Sequence, residues 1–314
     1  MTPEVSINLC CYNSEKYLRE TIDSIVSQTY KDWELVVIDD GSRDSTEIIV
    51  KEYMGRDYPI SYHYQENHGL GYARNQAIKR SRGRYIAFID HDDLWMPEKL
   101  ARQVRCFSQD DRVAIVITNV LQFNDKGQTA LYYKQKKPVT GYVFRQVFGD
   151  NFICLSSAVI RKDALNSLSE WFDERFKHIE EAELFARIAY HWHLAYVDEP
   201  LVKNRIHRES SSFLRPDLSP KETEMMIQKF IHAYPDFEYT YKEEIAGLRY
   251  YVQYYYALCE WRQGKGYLVR KRLKPFLFKK YRSMIPFGLS IFPYSFFEFF
   301  LRFYRSKIKR VPVA

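Results

Sequence analysis

Through the first 120 positions, short runs of β-branched and aromatic residues alternate with stretches whose apolar positions recur every three or four residues. Residues 5–9, 35–38, 60–64, 85–89 and 114–120 predict strands. Between them, residues 14–29 place Leu18, Ile22, Ile25 and Val26 on one helical face, and residues 45–53 do the same with Ile48, Ile49 and Tyr53. Residues 71–79 supply a further helix. This βα rhythm predicts an α/β fold, a Rossmann-like, mostly parallel sheet flanked by helices. Beyond residue 136 the pattern is mixed, with a strand at 152–160 and a helix at 180–191. A polar stretch, 204–220, reads as a mobile lid, and residues 222–234 and 241–261 as helices of a C-terminal helical extension.

Functional groups in such folds gather where strand ends meet loops. The strand ending at Ile38 runs into Asp39, Asp40, Gly41 and Ser42, and the strand ending at Ile89 into Asp90, His91, Asp92 and Asp93. Asp and Gly commonly start loops, which accounts for one such cluster but poorly for two at like strand ends. Asp90, Asp92 and Asp93 are hard oxygen ligands of the kind that hold Mg²⁺ or Mn²⁺ beside a diphosphate. Oxygen-rich surroundings weigh against the His91 ring as a direct ligand. Neither a P-loop nor a GxGxxG dinucleotide fingerprint is present.

The turn Gly69-Leu70-Gly71 precedes a helix that carries Arg74 and Asn75, expected on its exposed side, where N–H groups and a guanidinium would meet a diphosphate. Glu180, Glu181 and Glu183 open another helix, which helix-dipole electrostatics alone would favour. The competing use is a single general base placed to take a proton from a hydroxyl. Arg205 and His207 could meet phosphate through charge-assisted bonds.

Charge divides the chain. Residues 261–314 hold 14 Lys and Arg against one acid, Glu298, for +13, whereas residues 1–260 sum to −6. The overall +7 therefore gives no support to nucleic-acid binding. The five cysteines lack metal-ligand or disulfide spacing and read as reduced thiols, which predicts a cytoplasmic protein. The amino end shows no secretory pattern, and residues 284–301, the most apolar stretch, are broken by Pro286, Pro293 and Glu298. Ten Phe and Tyr fall within residues 281–304, bordered by bases. That suits peripheral binding at a membrane interface; a pair of helices that packs on the body and forms a homodimer is the alternative.

The ordered set of motifs resembles the inverting glycosyltransferase family 2 with the GT-A fold. VSINLCCYNSEKYLRETIDSIVSQTYKDWELVVIDDGSRDST is similar to that family's nucleotide-binding start, and ENHGLGYARNQAIKRSRGRYIAFIDHDDLWMPEKL to its next segment with the DxD motif. The resemblance implies a catalytic domain over 1–212, with nucleotide-sugar binding in 1–100 and the acceptor side in 101–212, followed by a helical region over 213–314. It places Tyr12, Asn13, Asp39, Asp40, Arg74, Asp90, His91 and Asp92 around a nucleotide-sugar donor, expected to be UDP-linked. Asp92 would be the principal ligand of Mn²⁺ or Mg²⁺, with Asp93 beside it and His207 near the diphosphate and metal. HIEEAELFARIA implies Glu181 as catalytic base, with Glu180 as neighbour and second candidate and Arg187 as a structural partner.

Glu181 departs from the Asp usual in the family, and Cys10-Cys11 from its Pro and small residue. The resemblance and tail together imply a saccharide or lipid-linked acceptor at the cytosolic face of the inner membrane, as in bacterial surface-polysaccharide assembly. A nucleotide-sugar-binding protein of weak or lost activity is the competing class.

Overall fold

The computed structural model describes residues 2–207, 218–277 and 283–298. Described residues up to His207 form one compact unit and those from 218 onward a second. In the first, β1 (Val5–Cys11), β2 (Trp33–Asp39), β3 (Ile60–Tyr64) and β4 (Tyr85–Asp90) are all parallel, in the order β3-β2-β1-β4. β1 and β2 are buried almost throughout and β4 up to its last residue, because helices cover both faces of a parallel sheet. α1 (Leu18–Val26), α2 (Thr46–Met54) and α3 (Leu70–Arg80) form the crossovers, α1 burying Leu18, Ile22 and Ile25.

Beyond β4 the sheet changes character, which corrects the mostly parallel expectation. β8 (Val159–Arg161) pairs antiparallel with both β4 and β6 (Val113–Phe123). β6 runs parallel to β9 (His193–Arg205), and the two-residue β5 (Leu94–Trp95) pairs antiparallel with β9. β7 (Thr129–Leu131) is an antiparallel branch on β6. The sheet is thus mixed, an α/β, GT-A-like arrangement. β9 is the largest element not legible in sequence, since Asp198, Glu199 and Pro200 interrupt its apolar run. Its register shifts opposite Asn119, where Pro200 has no N–H to give the ladder.

The strand expected at 152–160 is mostly absent. Residues Leu155–Ser157 form a 3₁₀ turn instead, and only Val159–Arg161 is strand. Ser157 bonds back to the Cys154 carbonyl through both N–H and Oγ, the local competition that Ser offers to a ladder. α4 (Lys99–Phe107), α5 (Phe144–Gly149), α6 (Lys162–Asn166) and α7 (Glu180–His191) complete the unit. The 204–220 lid is not what the described residues show at its ends. Asn204 and Arg205 close β9 and residues 218–220 open a helix; 208–217, with the expected boundary at 212, lie outside the described residues.

The second unit is helical, with α8 (Leu218–Ala233), α9 (Phe237–Thr240), α10 (Lys242–Arg262), α11 (Gly266–Leu273) and α12 (Met284–Leu289). Its distal core gathers Ala257, Trp261, Val269, Leu273 and Phe297. No described helix is long and apolar enough to cross a membrane.

Candidate active site

Parallel register brings the sequence clusters to one sheet edge. Cys11 lies opposite Asp39, and Cys10 opposite Asp90, so the loops after β1, β2 and β4 emerge together. In the first loop Asn13 takes a left-handed φ of 49°, Tyr12 is 52% exposed, and Asn13 Oδ1 accepts from the Arg43 N–H at 2.9 Å. Both acids of the second loop are turned inward. Asp39 accepts from Ser42 N–H at 2.8 Å and Tyr62 OH at 2.6 Å. Asp40 accepts from Gln65 at 2.6 Å and from the N–H groups of His68 and Gly69 at 3.0 and 2.8 Å. Asp40 thereby holds the turn that starts α3, leaving the exposed Tyr12 ring as the open surface of this end.

Arg74 is buried, contrary to the exposed position expected of it, and is the cation on which three carboxylates converge. Its guanidinium donates to Glu180 at 2.7 Å and Asp90 at 3.2 Å and lies 3.7 Å from Glu181. Burial disfavours its charge, but Glu180, Asp90 and Glu181 outweigh that and hold its pKa above the ordinary value. The Arg74 guanidinium also lies over the Phe172 ring, 5.4 Å from its centroid.

The three acids opening α7 separate into distinct uses. Glu183 is fully buried and forms a two-bond pair with Arg187, whose guanidinium also donates to the carbonyls of Glu170 and Trp171. Arg187 is therefore a structural partner of Glu183 rather than of Glu181. Glu180 is enclosed, one oxygen on Arg74 and Oε2 without a partner. Glu181 keeps a side chain that is 31% exposed. Its restricted hydration pushes its pKa up to about 8; Arg74 moderates the rise, and Glu180 and Asp90 add to it.

The acids after β4 also diverge. Asp90 has a half-open side chain and a raised pKa, from burial first, with Arg74 opposing and Asp92 adding. Asp92 Oδ2 meets His207 Nε2 at 2.7 Å, and this bond lowers its pKa against the effect of burial. His91 enters through its carbonyl, which accepts from Thr21 Oγ1 at 2.8 Å, while its ring is half-buried.

Asp93 is fully buried and accepts from Asn204 Nδ2 at 3.0 and 3.2 Å and from Arg205 N–H at 3.0 Å. It fixes the end of β9, two residues before His207, rather than facing the cleft. Arg205, expected at phosphate, instead donates to Glu20 at 2.8 Å, Asp125 at 3.2 Å and the Asp92 carbonyl at 3.1 Å. Asp93→Ala leaves the buried Arg205 N–H and the half-buried Asn204 amide without this acceptor, so it should cost about 1–3 kcal/mol in a urea melt, with Asp93→Asn recovering part. An unchanged midpoint would exclude this role.

Sequence reading missed Thr21, Ser156 and Asn204. Thr21 Oγ1 bonds the carbonyls of His91 and Asp93, and Ser156 Oγ accepts from Asp90 N–H at 3.1 Å. No local pattern marks them, since each acts on a loop distant in the chain. Among the described residues no group of three or more His, Cys, Asp or Glu is placed to hold a metal by itself. Asp92 and His207 form a carboxylate–imidazole pair, compatible with an ion whose remaining positions come from substrate phosphate and water. The Cys11 thiol is buried and the Cys10 thiol half-buried, and both have raised pKa values, Cys10 pushed up to about 12 by its restricted hydration, which keeps them out of nucleophilic chemistry.

The geometry agrees with comparisons to known proteins. An uncharacterised glycosyltransferase of Rickettsia typhi is 30% identical over 215 residues, which span 66% of this chain and 65% of the relative. Staphylococcus aureus TarS residues 1–349, solved with UDP-GlcNAc, superposes with a TM-score of 0.65 at 19% identity over 86% of this chain and 81% of that one. The mannosyltransferase PcManGT of Pyrobaculum calidifontis, solved with GDP-Man and Mn²⁺, gives 0.61 at 17% identity over 92% and 85%. These structures share the fold, and the matched stretch is less than two thirds of the relative's length. Residues 6–169 match the model of glycosyl transferase family 2, a span that holds the loops after β1 and β2, Arg74 and the β4 acids; the chain belongs to that family.

Proposed function

We propose that the chain is an inverting glycosyltransferase that moves a sugar from a nucleoside-diphosphate donor, UDP-linked, to a hydroxyl of a saccharide or lipid-linked saccharide. One observation carries this reading. Buried Arg74 joins Asp90 to Glu180 and Glu181, so a partly exposed carboxylate stands beside a fixed cation at the same sheet edge as the Asp92–His207 pair. A donor diphosphate needs positive charge near its leaving oxygens, and an acceptor hydroxyl needs one base.

Residues 1–212 would form the catalytic domain, with the donor side in 1–100. Tyr12 presents a ring face for the base, while Asn13, Asp39 and Asp40 hold the loops around it. Arg74 and Asp90 orient the donor, with His91 at the same loop. Glu181 takes the acceptor proton as the hydroxyl attacks the anomeric carbon; that bond forms as the bond to diphosphate breaks, so configuration inverts and no covalent enzyme intermediate is needed. Asp92 and His207 would hold Mn²⁺ or Mg²⁺, which supplies charge stabilisation to the departing diphosphate. Asp93 contributes by fixing His207 rather than by reaching the ion. Glu180 remains tied to Arg74, which favours Glu181 as the base.

The bound UDP-GlcNAc of TarS and the Mn²⁺ of PcManGT lend support by fold only. The basic aromatic C-terminal region would hold the enzyme at the cytosolic face of the inner membrane, near a lipid-linked acceptor. A donor panel by thermal shift tests the reading. UDP-sugars with Mn²⁺ should raise Tm by several degrees, corresponding to about 2.7 kcal/mol at a hundredfold excess over Kd. Asp92→Ala should lose that shift and sugar transfer together. Stabilisation confined to GDP-sugars would reject the UDP assignment, and no metal-dependent shift with any donor would reject the enzyme reading.

A further inference from the structure

The loop after β4 is fastened through its backbone by side chains that the chemistry above does not use. Thr21, fully buried on α1, places Oγ1 2.8 Å from the His91 carbonyl and 2.9 Å from the Asp93 carbonyl. A hydroxyl has one hydrogen, so these two carbonyls share a single donor, while the Tyr17 carbonyl in the preceding turn lies farther off at 3.4 Å. The loop thus gathers around one atom, and its turn is closed by the Asp93 N–H donating to the Asp90 carbonyl at 3.1 Å. The carbonyl between, that of Asp92, accepts from Arg205 Nε at 3.1 Å. All three carbonyls of residues 91–93 are taken by side-chain donors, and it is the Asp92 carboxylate that meets His207, at 2.7 Å.

Neighbouring polar groups show how specific this contact is. Ser24 Oγ accepts from the Trp95 N–H at 3.1 Å. Gln28, just past the end of α1, donates to the Met96 carbonyl at 2.8 Å and accepts from the Leu100 N–H at 3.1 Å. Both fasten the chain downstream of the acids, and of the three only Thr21 brackets Asp92. Fixing the backbone on either side of a residue fixes the point from which its side chain starts. Groups that orient a metal ligand in this indirect way are worth about 10–100-fold in metal affinity.

We infer that Thr21 is a positioning residue for the Asp92–His207 pair. By drawing the His91 and Asp93 carbonyls to one hydroxyl, it holds Asp92 in place for a divalent cation before the cation arrives, so that binding does not have to order the loop. This rests on the proposed function's reading of that pair as a cation site. It adds a residue from a different element, outside the acidic loop, on which cation affinity depends.

Mn²⁺ binding by the full chain in the presence of UDP tests it, with free Mn²⁺ read by electron paramagnetic resonance and a urea melt recorded for each variant. Thr21→Val keeps the shape and removes the donor, and it should weaken Mn²⁺ binding about 10–100-fold. Thr21→Ser keeps the hydroxyl and should stay near the native affinity. Should Thr21→Val not fold, Thr21→Ala removes the same donor without setting a methyl against the carbonyls and gives the same reading. Gln28→Met, which loses bonds only at Met96 and Leu100, should lower the urea midpoint and leave Mn²⁺ affinity unchanged. Native Mn²⁺ affinity in the folded donor-less variant would overturn the positioning role and leave the cation site standing. Equal weakening in Thr21→Ser, or in Gln28→Met, would also overturn it, by assigning the loss to packing or to general loosening. A native chain that binds no Mn²⁺ would overturn the cation site itself, and this role with it.

Discussion

Glu181→Gln should lower kcat by about 10²–10⁴-fold while leaving donor binding nearly intact, because it removes the proton acceptor without altering the Arg74–Glu180–Asp90 network. The pH dependence follows from the Glu181 carboxyl being pushed up to about 8. A base works only when deprotonated. Native activity should therefore climb with pH, at most about tenfold per unit, until it levels near pH 8, and the variant should lack that rise. Glu181→Asp shortens the arm by a methylene and tests its reach; a loss of up to about 10²-fold fits a misplacement near 1 Å. Full activity of Glu181→Gln would remove Glu181 as base, and transfer of the pH-dependent loss to Glu180→Gln would identify its neighbour instead.

The second large effect is expected at Arg74. Replacing it with Met strips the cation from Glu180, which is 4% exposed and whose other oxygen already lacks a partner. Leaving one member of a buried pair uncompensated costs about 3–5 kcal/mol, a fall in Tm on the order of 10 °C for a unit of this size. Donor-induced stabilisation should vanish as well, since Arg74 also orients Asp90. Arg74→Met/Glu180→Leu should recover much of the stability but none of the donor response. If the double variant melts no higher than the single one, the pair is not the source of the loss. If it binds donor normally, Arg74 has no part in the donor site.

The parallel half of the sheet is legible in the sequence because its strands are covered on both faces. Continuous runs such as Leu35, Val36, Val37 and Ile38 have no soluble alternative to burial. The acidic loops are legible for the same reason, since polar residues that end such runs must emerge at the sheet edge. Family resemblance supplies roles that residue types alone leave open, including the choice among Glu180, Glu181 and Glu183.

The far half is less legible because its strands are made by partners. β9 contains Asp198, Glu199 and Pro200 and forms a strand only because β6 offers it a ladder with a bulge at Asn119. The expected strand at 152–160 gives way because Ser156 accepts from the N–H of Asp90, the last residue of β4, and Ser157 bonds to Cys154. The expectation of an exposed Arg74 fails for a related reason. An arginine is normally exposed, and only the convergence of Asp90, Glu180 and Glu181 makes its burial favourable.

Local pattern and summed charge are enough to set the α/β rhythm, the edge at which chemistry collects and the split between an acidic body and a basic end. The physical basis for the division of labour among like residues comes from the folded chain. Asp92 meets His207 while Asp93 is buried and accepts from the end of β9, and Glu181 stays partly exposed while Glu183 is spent on Arg187. Neighbouring carboxylates are chemically the same in sequence, and they differ only through the donors, cations and solvent that distant segments bring to each.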